Sequence, residues 1–420
     1  MGFDDHPCFN AALRRGTGRI HLPVAEKCNV QCKFCNRKYD CVNESRPGVT
    51  GAVLSPFQAL DYLDAALRRI GNISVVGIAG PGDPLACGEA SLTTLEMVRE
   101  RYPDKLLCLA TNGLALAVYA ERLAALGVSH VTVTCNAVDP AIGAKIYDWV
   151  RHGPRIRRGV EGAALLLEQQ IEGVKRLKSL GLTVKINTVI IPGVNDAHAV
   201  KVAETMAGLG ADIQNCVPLA PVEGTAFENA APPAPEDMAA LRLEAGKSLR
   251  QMTHCGRCRA DAAGLIGERN RADLEELLRE AGTARPAAER PYLAAASIEG
   301  LFVNRHLGEA SSFWVFALEN GKPVLKEERP APPTGTGAAR WEALADRLGD
   351  CFAILFSACG ESPRRVLERR GFELVAGEGL ISDIAGYLFT GKKVPGIYRV
   401  KTGHCGAGEG CSGTGCGCGA

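Results

Sequence analysis

Beyond residue 56 the apolar positions of this chain switch repeatedly between two periods. FQALDYLDAALRRI (57–70) repeats its apolar residues at helical spacing, and SVVGIAG (74–80) is the short apolar run of a buried strand. The same alternation recurs. Helical patterns cover 91–102, 118–127, 163–181 and 197–210, and strand patterns cover 106–113, 130–138, 183–193 and 211–220. Gly127 and Gly181 sit where two of these helices should end. A series of about six strand–helix units predicts a parallel sheet with helices outside it. Before the series, residues 1–27 form an arm that ends in a short strand, GRIHLPVAEK.

The pattern then changes. NAAPPAPE (229–236) is a proline-rich break, a helix follows over about 237–252, and another stretch of helix covers 271–281. GTARPAAERP (282–291) reads as a linker. Past it a smaller α/β domain opens with AAASIEGLFVNRHLG (294–308). Two apolar runs between 313 and 330 flank Asn320-Gly321, a turn pair that predicts a hairpin. A helix (339–350), a buried strand (351–360), a helix (363–371), a short strand (372–377) and a last helix (381–391) complete it. The expected division is an arm (1–27), a first domain (28–281), a linker (282–293), a second domain (294–402) and a tail (403–420). The tail holds eight glycines and four cysteines and has almost nothing to pack, so a flexible segment is expected.

Composition narrows the function. With 420 residues and 46% hydrophobic content the chain can bury a large core. A net charge of +1 argues against binding dominated by nucleic-acid phosphates, and 5% aromatic residues argues against base stacking. No basic stripe with interleaved aromatics stands out. The start, MGFDDHPCFNAALRRG, lacks the apolar segment of an export signal, and no apolar run is long enough for a membrane span. A cytoplasmic protein is the expectation. Its seventeen cysteines therefore point to metal rather than to disulfides.

The sharpest signal is CNVQCKFC, which places Cys28, Cys32 and Cys35 on one short loop. Three thiolates there can hold three irons of a cubane and leave the fourth iron open for chemistry. Zinc is the competing reading, with Cys41 or His21 as a fourth ligand. The spacing, with Phe34 before the third cysteine, resembles the radical S-adenosylmethionine enzymes. That resemblance implies a partial or complete (β/α) barrel and a [4Fe-4S] cluster whose open iron binds the methionine end of S-adenosylmethionine. It implies one-electron cleavage to a 5′-deoxyadenosyl radical. Gly80-Pro81-Gly82-Asp83-Pro84 follows the first clear strand and resembles the family's loop at the methionine amino group. Glycines there let backbone approach a ligand and prolines fix the loop. Asn187, near the end of a strand, resembles a ribose or carboxylate contact; a capped strand end is the plain alternative.

More ligands remain than such an enzyme needs. Cys255-x-x-Cys258 is a natural metal pair, or else a redox dithiol. Cys87, Cys135 and Cys216 read as small buried hydrophobes. HPCFN (6–10), RIHLPVAEKCNVQCKFCNRKYDCVNESRPGV (19–49), AGPGDPLA (79–86), CLATNG (108–113), INTVIIPGVND (186–196) and HCGRCRADAAG (254–264) together resemble the maturases of the nitrogenase iron–molybdenum cofactor. Residues 294–395 resemble the ribonuclease H-like, NifX-type cofactor-binding domain that many of them carry. The resemblance implies fusion of two substrate [4Fe-4S] clusters, K1 and K2, into an eight-iron precursor with a central carbide. It implies His21, Cys41 and Cys108 on K1, and Cys8, Cys255 and Cys258 on K2.

The same resemblance implies two uses of S-adenosylmethionine: methyl transfer to a cluster sulfide, then hydrogen abstraction from that methyl. Glu44 and Arg46 are candidates for charge and proton handling, and Asn43 and Ser45 for hydrogen bonds to cluster sulfur. A polar cap on a ligand loop is the plain alternative. The implied partners are iron–sulfur cluster donors, a NifX- or NifEN-type carrier or scaffold, and a low-potential electron donor, with no nucleic acid and no membrane. In the second domain Cys351 and Cys359 read as core, and His306 as a cluster contact or a turn cap. Two rival readings stand. One is a non-catalytic iron–sulfur carrier, which would not cleave S-adenosylmethionine. The other is a different radical maturase, whose spare cysteines would follow the barrel.

Overall fold

The computed structural model describes residues 5–400, apart from Ser45, Cys87, Arg269, Asn270, Ala284, Arg285 and residues 334–336. The chain divides into two compact units. The first ends at Arg279, and the second starts at Glu280 and takes in Ser55–Gln58. The expectation of a flexible tail concerns residues outside the described ones, as do the readings of Ser45 and Cys87.

The first unit contains β1 (Gly18–His21), β2 (Val30–Cys32), α1 (Pro56–Arg69), β3 (Ile73–Ile78), α2 (Gly88–Arg101), β4 (Leu106–Thr111), α3 (Leu116–Ala125) and β5 (Val128–Thr134). It continues with α4 (Pro140–Ile146), β6 (Tyr147–His152), β7 (Arg155–Arg158), α5 (Gly159–Ser179), β8 (Thr183–Ile190), α6 (Ala199–Gly208) and β9 (Ile213–Pro218). Helix α7 (Pro235–Ala245), β10 (Ala263–Gly264) and α8 (Ala272–Ala281) complete it. Seven strands form one sheet in the order β10-β1-β3-β4-β5-β8-β9. All neighbours run parallel except β10, which pairs antiparallel with β1. The sheet is therefore an open partial barrel, one of the two forms expected.

Alternation gives its two faces opposite characters. Ile20, Val76, Leu107, Val131 and Ile186 point one way and are almost completely buried. Each contributes roughly 1.5–3 kcal/mol of burial. The other face carries Arg19, His21, Cys108, His130, Thr132, Thr134, Lys185, Asn187 and Asn215. A sheet face this polar is costly as a plain core and marks where chemistry sits.

One segment departs from the sequence reading. Between β5 and α5 the sequence reading names no element, yet Pro140–Ile146 is helical and β6 and β7 form a hairpin. It pairs with β2 as a separate three-stranded sheet, β2-β6-β7. Four arginines interrupt its apolar alternation, so periodicity alone misses it.

The second unit has a five-stranded sheet in the order β14-β13-β11-β15-β16. Its strands are β11 (Tyr292–Ala295), β13 (Ser312–Glu319), β14 (Lys322–Pro330), β15 (Cys351–Phe356) and β16 (Glu373–Ala376). Strands β12 (Phe302–Val303) and β17 (Gly379–Leu380) pair apart from it. Helices α9 (Ala338–Arg347), α10 (Glu361–Arg369) and α11 (Ile381–Phe389) complete this α/β domain. Asn320 and Gly321 have φ of 49° and 75°, the left-handed pair of the expected hairpin turn. Cys351 is buried in the core. Cys359 is half-buried, 3.6 Å from an Arg364 guanidinium nitrogen, and His306 caps a turn by accepting the Gly308 N–H at 3.1 Å.

Candidate functional site

The triad loop is braced from three sides. Cys35 N–H donates to the Cys32 carbonyl at 3.1 Å, and Gln31 Nε2 donates to the Cys32 and Cys35 carbonyls at 3.0 and 2.6 Å. Phe34 is fully buried beneath the loop. Strand β2 pairs with β6, placing Cys32 opposite Tyr147. Cys28, Cys32 and Cys35 face a narrow cleft that Cys41, Glu44, Asp83 and Asn112 also line. Burial pushes all four of these thiols up, and the Arg37 guanidinium opposes that shift at Cys28, Cys32 and Cys35.

The Gly80–Asp83 loop is pinned against the segment leading to Cys28. Gly82 N–H donates to Ala25 O at 2.6 Å, and Asp83 N–H to Lys27 O at 2.7 Å. A Cβ on Gly82 would lie 2.2 Å from Lys27 O, so only glycine permits the approach. Gly80 has φ of +140°, a second glycine-only position. The buried Asp83 carboxylate accepts from Thr111 Oγ1 at 3.0 Å, Asn112 N–H at 2.5 Å and Leu85 N–H at 2.9 Å. It fastens the loop to the end of β4.

Two side-chain amides reach sulfur. Asn43 Nδ2 lies 3.6 Å from Cys32 Sγ and 3.5 Å from Cys41 Sγ, and Asn112 Nδ2 lies 3.6 Å from Cys28 Sγ. Sequence reasoning singled out Asn43 but gave Asn112 no role; its signal was the Thr-Asn-Gly turn at a parallel strand's carboxyl end. Glu44 accepts from Thr134 Oγ1 at 2.7 Å and from Asn187 Nδ2 at 2.9 Å. Burial pushes its carboxyl up to about 7, against the pull of Lys185. Asn187 also donates to Asn43 O at 3.1 Å, so it ties β8 to the Cys41–Glu44 loop. Arg46 is half-buried and does not line the cleft.

A second thiol group lies on the same sheet face. His21, Gly77 and Cys108 are consecutive partners across β1, β3 and β4. His21 Nδ1 is 3.0 Å from Arg259 O. Donating there leaves Nε2 with its lone pair free, the tautomer of a metal-ligating histidine. Burial lowers its pKa to about 4, which keeps the ring neutral. Cys8, on the arm, is pushed up to about 11 by burial, with Lys185 opposing and Cys258 adding to the shift. Cys108 is pushed up to about 12, by burial and then by Cys8. Arg19 Nη2 reaches Cys258 Sγ at 2.7 Å, and Cys255 is exposed. His254 Nε2 sits 3.0 Å from Pro7 O, joining the Cys255–Cys258 loop to the arm.

The expected ligands thus fall into two neighbourhoods. Cys28, Cys32, Cys35 and Cys41 share the cleft. Cys8, Cys108, Cys258 and His21 gather beside Arg19 and Lys185. Cys41, which the family pattern assigns to K1, turns its thiol to the cleft. Among the described residues no three His, Cys, Asp or Glu side chains close on one metal ion. A zinc knuckle would need that convergence, whereas a cubane takes each thiolate on a different iron. Spread thiols with amide donors aimed at sulfur fit a cluster.

Comparison with known proteins agrees. Residues 22–206 match the Radical SAM superfamily, and residues 290–389 match the dinitrogenase iron-molybdenum cofactor family. The chain is 50% identical to the FeMo cofactor biosynthesis protein NifB of Chlorobaculum tepidum, over 98% of this chain and 99% of that one. The chain belongs to the NifB family. The NifB of Klebsiella pneumoniae is 40% identical, over 88% of this chain and 86% of its own. That of Frankia alni is 38% identical, over 88% and 84%. This NifB-family chain thus joins a radical SAM domain to a NifX-like domain. No helix among the described residues is long and apolar enough to cross a membrane.

Proposed function

We propose that this chain is a radical S-adenosylmethionine maturase that fuses K1 and K2 with a carbide to make NifB-co, the eight-iron precursor of the nitrogenase cofactor. One observation carries the reading. The triad cleft and the second thiol group lie on one polar sheet face, with Lys185 within electrostatic reach of Glu44 and of Cys8, Cys108 and Cys255. When bound, a four-iron cluster on Cys28, Cys32 and Cys35 supplies the electron that splits the sulfonium to a 5′-deoxyadenosyl radical.

The chain's own residues divide the remaining work. Backbone of Gly80, Pro81 and Gly82 lies where it can hold the methionine end of S-adenosylmethionine, and Asp83 keeps that backbone in place. Asn43 and Asn112 donate to ligand sulfur and orient it. His21, Cys41 and Cys108 hold the substrate cluster K1. Cys8, Cys255 and Cys258 hold the substrate cluster K2. Cys8, near both Cys108 and Cys258, borders the two. Glu44 carries or withholds a proton between the neighbourhoods. Cluster donors load the site, and a NifX- or NifEN-type carrier takes the product.

The test is strictly anoxic reconstitution, followed by reduction with S-adenosylmethionine. Loaded protein should hold roughly twelve irons, three cubanes of four. It should yield both 5′-deoxyadenosine and S-adenosylhomocysteine. Four irons and deoxyadenosine alone would reduce the protein to a single-cluster radical enzyme; neither product would make it a carrier.

A further inference from the structure

The β6–β7 hairpin has no part in the site, yet it is built onto the triad. Strand β2, which carries Cys32, is hydrogen-bonded to β6, with Val30 opposite Val150, Gln31 opposite Trp149 and Cys32 opposite Tyr147. Arg151 N–H donates to Asn29 O at 2.8 Å, one residue past Cys28. An irregularity in the pairing at Asp148 sets both Tyr147 and Val150 inward, where they are buried with Cys32 and Cys35. The outward positions are Trp149, Arg151, Ile156 and Arg158.

The outward face is positive. Arg151, Ile156 and Arg158 are exposed on it, Ile156 to 45%, and His152 and Arg155 are exposed at the turn, on the side of Val150. Arg157 pairs with Glu161 and Arg158 with Asp148, and no described acid pairs with Arg151 or Arg155. Arg37 and Lys38 extend the same charge from the triad's own loop. Against a net charge of only +1 for the whole chain, this is a local excess. Charged side chains also guard an edge strand such as β7 from mispairing. That role explains charge on β7, but not a half-buried tryptophan on β6, the strand next to the triad, with Arg151 two residues along the strand and Arg158 opposite it.

We infer that the outer face of the β6–β7 hairpin is the docking surface for an acidic, one-electron iron–sulfur carrier protein. The inference rests on the reading of the triad as a radical-generating cluster, which needs one electron per cleavage. The carrier's cluster is oxidised by one electron, the triad's cluster is reduced by one, and no other reactant enters. Complementary charge raises the encounter rate and sets orientation. Trp149 and Ile156 supply the apolar centre that such interfaces require.

The experiment follows deoxyadenosine formation in loaded protein with two reductants, dithionite and a reduced acidic ferredoxin. In the Arg151→Glu/Arg158→Glu variant, the ferredoxin concentration for half-maximal rate should rise at least about tenfold. The dithionite-driven rate should stay at the wild-type value. Wild-type dependence on ferredoxin should weaken steeply as salt rises, and that of the variant should not. Should the double variant fold poorly, Arg151→Glu alone, exposed on that face, serves the same comparison. Unchanged ferredoxin dependence in the variants would overturn the inference. So would binding to phosphatidylglycerol vesicles lost in the variants while ferredoxin dependence stayed the same. Failure of dithionite to drive the wild type would instead strike at the radical-enzyme reading itself.

Discussion

Gly77 and Cys108 face each other across β3 and β4 with no room for a methyl group between them. A Cβ on Gly77 would lie 2.5 Å from Cys108 Sγ and 3.3 Å from His21 Cδ2. The glycine is the gap through which a β1 imidazole and a β4 thiol, two strands apart, can reach one object. Gly77→Ala should push Cys108 off its position at a cost of about 1–3 kcal/mol. Iron bound beyond the triad's cubane should fall, while deoxyadenosine formation persists. Iron counting with a thermal melt checks it; full iron loading in the variant would remove Gly77's role.

Gly82 makes a comparable demand at the other end of the site. Alanine there meets the Lys27 carbonyl at 2.2 Å and the Ala25 carbonyl at 3.0 Å, both backbone, so the loop must lift. Triad iron should be retained in Gly82→Ala. Affinity for S-adenosylmethionine should fall at least about tenfold, roughly 1.4 kcal/mol. Equilibrium binding to the reconstituted, unreduced protein measures this directly. Wild-type affinity would show that the loop does not contact the ligand.

The alternating strands and helices were legible because one sheet face and one stripe of each helix are apolar, which is what periodicity reports. The Asn320-Gly321 hairpin was legible because only a few residue pairs accept two left-handed conformations. The triad and its glycine loop were legible because thiol and glycine spacing has few other uses. Three things were not. The β6–β7 hairpin carries arginines where strands usually alternate. Asp83 could be located, but the engagement of its carboxylate with β4 depends on contacts across 28 residues or more. The placement of the spare thiols depends on strand register, which sets Cys108 two strands from His21, and on the loop that turns Cys41 to the cleft.

Asn43 donates from one amide nitrogen toward Cys32 and Cys41, while its carbonyl oxygen accepts from Asn136 Nδ2 at 3.2 Å. Asn43→Leu keeps the volume and removes both interactions. Hydrogen bonds to sulfur ease reduction of a cluster, so the triad cluster should become harder to reduce. Radical formation at fixed dithionite should fall about 10–100-fold. A redox titration followed by electron paramagnetic resonance reads the shift. An unchanged midpoint, with slower turnover, would assign Asn43 to loop packing only.

Glu44 gives a pH dependence with a clear sign. Burial pushes its carboxyl up to about 7, whereas in the unfolded chain a glutamate titrates near 4.3. The folded state therefore holds this proton to higher pH than the unfolded state does. Its stabilising contribution is complete below about pH 4 and is lost as pH rises through about 7. Metal-free wild type should lose on the order of 1–3 kcal/mol from this group between about pH 5 and 8. Glu373, pushed up to about 7 by burial and by Glu368, titrates in the same window. The difference between wild type and Glu44→Gln isolates Glu44: the variant should lose less stability across that range and should match or exceed wild type at pH 8. Denaturant midpoints at several pH values decide it. Parallel pH profiles would mean that Glu44 is ionised in the folded protein throughout, and its part in proton transfer would then fall.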